Sequence, residues 1–253
     1  MPVSGTYANV DGADNVADAI AWQDRVDAWP QVAAYKRRSY ELLPAPGRVL
    51  DVGSGTAHDL LAIGRAAIGI DASMAMCRTA RARDAVVARA VADALPFPDE
   101  SFAGVRADRV LAHVSDPDAA IAEMVRVTRR GGRLVIADPD QGSLVIQVPG
   151  ARHDLVATVR RLRRDVGYRN GTLARDLPRR LAAVGLQGLA IEAFPLLLTN
   201  PDDAFGITTW VDSWRQHFTA SDVEEWDAAM QRGREVGGFV YALLYFVVSG
   251  TRP

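Results

Sequence analysis

A single cysteine, Cys77, stands among 253 residues, so the chain can close no internal disulfide and can build no thiolate metal cluster. A reducing, cytoplasmic setting is the expectation that follows. Histidine is scarce too: His58, His113, His153 and His217 show neither H-x-x-x-H nor H-E-x-x-H spacing, and no metal site is expected. Charge of one sign is also lacking. A formal net charge of -2 supplies no field to draw nucleic acid or an anionic membrane. The longest late apolar run, Phe239–Val248, is half of what a membrane-spanning helix needs and reads as a buried strand. Near the N-terminus, Asp11, Asp14 and Asp18 stand where a secretory leader would need a basic stretch followed by an apolar one, so no leader is expected. These absences leave a small-molecule partner, with no nucleic acid and no membrane.

What is present is an ordinary globular balance, 49% hydrophobic and 24% charged, enough to bury one large core. Between Arg48 and Asp138, apolar runs alternate with helix-like stretches, the pattern of βα units on a parallel sheet. Strands are predicted at Arg48–Val52, Ala67–Ile70, Val86–Ala90, Phe102–Arg106 and Arg133–Ala137. Helices are predicted over Ser73–Arg83, with Ser73 as N-cap, and over Asp118–Val127. Asp14–Leu43 reads as two helical segments broken near Pro30. Gln141–Asn170 fits none of the repeating units. The last third returns to regular structure: a helix at Leu173–Val184 ended by Gly185, a strand at Leu189–Phe194, and a terminal strand at Phe239–Gly250. The economical division is a helical lid over residues 1–43 and a core over 44–253 that carries a lid insertion at about 141–170.

The run Val49-Leu50-Asp51-Val52-Gly53-Ser54-Gly55-Thr56-Ala57 sets an apolar strand directly before a small-residue turn and a helix. Glycine lets a ligand approach the backbone, and a turn that feeds a helix offers unpaired N–H donors. Either a pyrophosphate or a carboxylate could use them. Asp71 closes the next strand, where an acid reaches ribose hydroxyls. The dinucleotide fingerprint G-x-G-x-x-G is not met, because His58 occupies its third glycine position.

Further marks follow in order: Gly69-Ile70-Asp71-Ala72-Ser73, Ala92-Asp93-Ala94-Leu95-Pro96-Phe97-Pro98, Val110-Leu111-Ala112-His113-Val114, and Glu123 to Val127 running into Gly131-Gly132. With these the chain resembles the class I S-adenosylmethionine-dependent methyltransferases, in particular the branch of ubiquinone/menaquinone methyltransferases and natural-product methyltransferases. The resemblance is close over Arg48–Asp138 and loose elsewhere. It implies an α/β fold: a Rossmann-like doubly wound sheet of seven strands, mostly parallel with the last antiparallel, under a helical lid. The implied cofactor is S-adenosylmethionine, with S-adenosylhomocysteine as product. Asp51 and the turn Gly53, Ser54 and Gly55 would then face the methionine portion, with Asp71 on the ribose. Ala72 and Met76 would pack on adenine, Asp93 and the Ala94 backbone would read its amino edge, and Arg109 would line the methionine side. Tyr7 resembles a position near the sulfonium. Ala57 departs from the family's third glycine, a harmless change if its φ is negative, and Ser54 stands where many relatives have cysteine.

Methyl transfer to a hydroxyl needs alignment and removal of a proton. His113, just past the fourth strand, is the candidate base, and Asp138, closing the fifth, is the candidate partner that orients it. The pair matches positions that look catalytic in sugar O-methyltransferases. The bland alternative for His113 is that it braces the following helix. O-methylation of a natural product or related metabolite is therefore the leading expectation. C- or N-methylation of a quinone-like or aromatic metabolite, or structural use of the cofactor in a cyclisation, is the alternative. Asp138-Pro139-Asp140 lacks the second proline and the aromatic of the D-P-P-Y signature of nucleic-acid amino-methylation. The arginines Arg160, Arg161, Arg163 and Arg164 read as a solvated helix face. Tyr35 and Lys36 belong to the segment that folds over the cofactor in the family, and Tyr40 reads as a packing residue of a surface helix. Phe205, Ile207, Trp210, Val211, Trp214 and Phe218 form an apolar stripe of the kind found in a core or a subunit contact, which leaves a homodimer open.

Overall fold

A computed structural model of the chain describes residues 11, 16–44, 46–64 and 66–253. Tyr7 lies outside the described residues. Strands β1 (Val49–Val52), β2 (Ala67–Asp71), β3 (Val87–Arg89), β4 (Phe102–Asp108), β5 (Thr128–Gln147), β6 (Gln187–Leu198) and β7 (Val240–Thr251) form one sheet in the order β3-β2-β1-β4-β5-β7-β6. β1 to β5 pair in parallel, while β7 runs antiparallel to both β5 and β6. The sheet thus has the predicted topology, with the last strand alone reversed. The order turns back between β1 and β4, and in open α/β sheets a ligand crevice opens outside the carboxyl ends of strands at that point.

The helices are α1 (Val16–Asp27), α2 (Pro30–Glu41), α3 (His58–Ile63), α4 (Met74–Ala82), α5 (Pro117–Val127), α6 (His153–Asp165), α7 (Leu177–Ala183), α8 (Trp210–Ser213) and α9 (Ala220–Val236). Several boundaries follow directly from chemistry. Pro30 opens α2 at a position whose N–H would be unpaired anyway. Ser73 caps α4 by accepting from the Met76 amide at 3.2 Å, as predicted. Asp116 caps α5 through the Ala119 amide at 2.9 Å.

One hydrophobic core lies on the face covered by α1, α2, α6, α8 and α9, and holds Trp22, Val159, Ile207, Trp210 and Trp226. The opposite face packs Leu50, Val105, Ile121, Met124 and Leu181 against α5 and α7. Ile207, Trp210 and Val211 of the apolar stripe are buried in the first core.

β5 departs from expectation by continuing ten residues past Ala137, through Asp138-Pro139-Asp140 to Gln147. Its pairing with β4 ends at Ala137, so on that side Pro139 has no ladder bond to forfeit, while β7 pairs with it from the other. Residues 141–147 are therefore sheet, and 153–165 form α6. Among the described residues no helix is long and apolar enough to cross a membrane.

Candidate active site

At the switch point a cavity of about 530 Å³ opens over the ends of β1, β2, β4 and β5. That volume is within the range that holds a cofactor-sized ligand. Gly53, Gly55, Asp71, Ala72, Met76, Asp93, Arg109 and His113 all line it, so eight predicted positions from five separate segments converge. Asp51, Ser54, Ala94 and Asp138 are not on its wall.

The glycines shape the near end. Gly53 has φ +71°, and a Cβ there would sit deep inside the van der Waals contact of Val110 Cγ2. Gly53→Ala is therefore expected to lose cofactor binding by about tenfold or more, through strain and a blocked approach; a titration with S-adenosylhomocysteine reads it. Gly55, at φ +52°, faces Gln23 of α1, which also lines the cavity. Ala57 has φ +71° rather than the negative value that would have made it harmless, so the turn keeps its left-handed form at a backbone cost of about 1–2 kcal/mol. Arg109 is a second strained position, with φ +58°, pinned by its amide to the Ala137 carbonyl at 2.8 Å.

Asp71 spans the turn and the next helix. One oxygen accepts from the Gly55 amide at 2.9 Å, the other from the Ser73 amide at 2.8 Å. Burial raises its pKa, against the pull of those amides. Each oxygen keeps a lone pair for a further donor, which is what a ribose diol requires. Asp11 reinforces the start of α4 by accepting from the Ser73 hydroxyl at 2.6 Å and the Met74 amide at 2.8 Å, and these bonds lower its pKa to about 2.

One oxygen of Asp51 accepts from Arg106, and the other has no hydrogen-bond partner among the described residues. On the even face of the β4 ladder, Arg106 is fully buried opposite Asp51 and pairs with it at 2.8 Å, with Asp59 at 3.1 Å and with Asp108 at 3.2 Å. Lys36 of α2 meets Asp59 at 2.8 Å, Asp27 at 3.0 Å and Asp108 at 3.2 Å. Arg109 pairs with Asp27, and the Tyr35 hydroxyl donates to Asp108 at 3.1 Å. Arg109 and Asp108 at the cavity wall, with Lys36, Arg106, Asp27, Asp51 and Asp59 beneath it, form one ionic network. Burial and the nearby Asp59 push Asp51 up to about 7, whereas Arg106 and Lys36 overcome burial to hold Asp59 low. Tyr35 and Lys36 thus support the floor, and Tyr40 lies against Arg106 at 5.1 Å.

His113 lines the far side, its ring 5.1 Å from that of Tyr168. Burial, then Arg163 and Arg109, lower its pKa to about 4, so the imidazole is neutral at physiological pH. Asp138 is fully buried, accepts from the Leu111 amide at 3.1 Å and is bonded by the Ala112 amide. Burial and Asp108 push it to about 8. Among the described residues no hydrogen bond joins it to His113: Oδ2 accepts from the Leu111 amide and Oδ1 has no partner, so its link to the imidazole runs through the loop backbone. Asn170 stitches the same loop, donating to the carbonyls of Leu111 at 2.8 Å and Val114 at 2.9 Å. Sequence reasoning missed Asn170, Gln23, Tyr168 and Tyr245. It also placed Arg163 on a solvated face. Arg160 and Arg161 are exposed, but Arg163 turns inward, because its position lies beside Val159 and Leu162 on the buried stripe.

Residues 50–136 match the family model described as a methyltransferase domain. That segment is similar to methyltransferase domains and holds the glycine turn and Asp71. The glycine turn and the free lone pairs of Asp71 suit a ligand that carries a ribose. The chain is 36% identical over 177 residues to an uncharacterized protein in transposon TN4556 of Streptomyces fradiae, covering 65% of this chain and 51% of that protein. It is 43% identical over 97 residues to a demethylmenaquinone methyltransferase of Mycobacterium sp. (strain KMS), covering 37% of this chain and 42% of the relative. The chain thus spans about half the length of these relatives. Among solved structures, a putative methyltransferase from Bacillus halodurans superposes with TM-score 0.61 at 19% identity, over 87% of this chain and 99% of that one. At that identity the likeness concerns the fold.

Proposed function

We propose that the chain transfers a methyl group from S-adenosylmethionine to a hydroxyl of a small metabolite, most simply a natural product, in the reducing cytoplasm. The observation that carries this reading is the continuity of one cavity from Asp71 and Asp93 to His113. A nucleoside end and a proton acceptor thereby share a single space. The bound cofactor supplies an electrophilic methyl on a sulfonium. The residues of the chain do the rest. Gly53 and Gly55 admit the methionine tail, Asp71 holds the ribose, Ala72 and Met76 contact adenine, and Asp93 reads its edge. His113 accepts the proton of the attacking hydroxyl, and Asp138 positions the loop that carries it. Trp22, Gln23 and Val26 of α1, with Gly167, Tyr168 and Arg169 after α6, flank the opening and serve as its lid.

Calorimetric titration with S-adenosylhomocysteine tests the cofactor claim, and a gain of one methyl mass in a panel of hydroxylated acceptors tests the reaction. Absence of binding sinks the reading. Asp71→Ala is expected to weaken S-adenosylhomocysteine binding by roughly 10- to 100-fold, since two charge-assisted bonds of about 1.5–3 kcal/mol each are at stake and water partly replaces them. Undiminished affinity would remove the ribose assignment.

A further inference from the structure

Arg163 differs from every other buried cation in the site. It is 4% exposed and lines the cavity, yet among the described residues no carboxylate pairs with it. Lys36, Arg106 and Arg109 each have two or more carboxylates within 4 Å. Arg163 instead lies among aromatic rings, 4.3 Å from the Trp210 centroid and 4.7 Å from that of Tyr168, with one donor on the Tyr168 hydroxyl at 3.2 Å and the Tyr241 hydroxyl as a further neutral neighbour. Its Nε has no hydrogen-bond partner. A buried guanidinium with an unpaired Nε and no counter-charge is costly unless a ligand brings the missing charge.

The surroundings define that ligand. Phe205, Tyr245 and Trp22 present flat rings to the same cavity, which suits an aromatic or otherwise planar scaffold. We propose that this wall is the acceptor subsite and that the acceptor is a ring-bearing carboxylate whose anionic group is met by Arg163. This assignment rests on the methyl-transfer reading above. One guanidinium without a counter-charge matches one negative charge, and its planar fork fits the two oxygens of a carboxylate. Arg169, exposed at the rim of the cavity, adds attraction during approach. The cofactor's methionine tail carries a carboxylate too. Arg163 belongs to α6, which packs on β5, whereas the glycine turn follows β1, two strands away across β4 and roughly 10 Å distant at ordinary strand spacing. That separation assigns Arg163 to the acceptor.

The test uses wild-type protein saturated with S-adenosylhomocysteine and titrated with salicylate or salicylamide, which share ring and hydroxyl and differ in charge. Salicylate should bind about 10- to 100-fold more tightly. In Arg163→Met, which keeps the stacked length, that ratio should fall to near one while S-adenosylhomocysteine affinity stays within about twofold. If Arg163→Met fails to fold, Arg163→Lys retains charge without the fork and should cut the ratio severalfold; the wild-type comparison stands in either case. Equal binding of the two probes, no binding of either at millimolar concentration, or an unchanged ratio in the folded variants overturns the assignment. Parallel loss of salicylate and S-adenosylhomocysteine overturns it as well, in favour of the cofactor's carboxylate. Failure of wild-type protein to bind S-adenosylhomocysteine would instead strike the methyl-transfer reading itself.

Discussion

Arg106→Gln should lower the thermal midpoint by about 10 °C or more, or prevent folding at growth temperature. Removal of one partner from a buried ion pair costs about 3–5 kcal/mol, because the remaining charge has neither water nor counter-ion. Here the guanidinium faces Asp51, Asp59 and Asp108, so its loss leaves Lys36 and Arg109 against four carboxylates with Asp27 included. Against a total stability of about 5–15 kcal/mol, that is a large share. At this chain length each kcal/mol moves the midpoint by roughly 2–4 °C. The network predicts its own rescue. Burial already raises the Asp51 carboxyl, so Asp51→Asn in the Arg106→Gln background removes the acid that loses its nearest partner. The double variant should recover part of the midpoint, and the two effects should be non-additive. A drop of only a degree or two in Arg106→Gln, read by differential scanning calorimetry, would show that water reaches this cluster.

The sequence carried the parallel sheet because β1 and β4 are buried on both faces and, with β2, read as short apolar runs that, up to each closing residue, are broken only by Asp51 and Arg106. The cofactor end was equally legible, since Gly53, Gly55, Asp71 and Asp93 act through local geometry: a strand, a tight turn and an acid at the end of the next strand. The ionic floor was not. Lys36, Arg106 and Asp108 meet only when α2 folds across β4, and nothing in a charged residue's neighbours along the chain distinguishes a buried partner from a surface one. Arg106 did leave a trace, being a cation in a strand with apolar residues on both sides, and its depth required carboxylates from elsewhere. Pro139 misled differently. Asp138-Pro139-Asp140 has turn composition, yet the strand passes straight through it where the β4 ladder has already ended. Arg163 was hidden within a run of arginines whose other members do face solvent; the apolar residues Val159 and Leu162 marked the helix stripe on which it falls.

If His113 is the base, His113→Ala should reduce turnover of a hydroxyl acceptor by about 10²- to 10⁴-fold, with S-adenosylhomocysteine affinity within about twofold of wild type. An acceptor that attacks through an already unprotonated amine should lose far less. The charges facing the imidazole determine the pH profile. Arg163 and Arg109 approach it from α6 and the end of β4, Tyr168 lies alongside, and Asp138 sits behind the loop backbone. Burial and the two guanidiniums disfavour the imidazolium, so free enzyme should keep an accepting imidazole until pH falls through about 4, and kcat/KM should lose its acid limb there. The same charges make the imidazole a weak base. An anionic acceptor on Arg163 offsets the guanidinium that lowers the imidazole more and returns it toward its ordinary range, where proton transfer near neutral pH is better matched. The acid limb of kcat should therefore lie at higher pH than that of kcat/KM, and Arg163→Met should lower both rate and acceptor affinity. Full activity in His113→Ala would end the base assignment and leave the imidazole as a brace for the loop between Arg109 and Ser115.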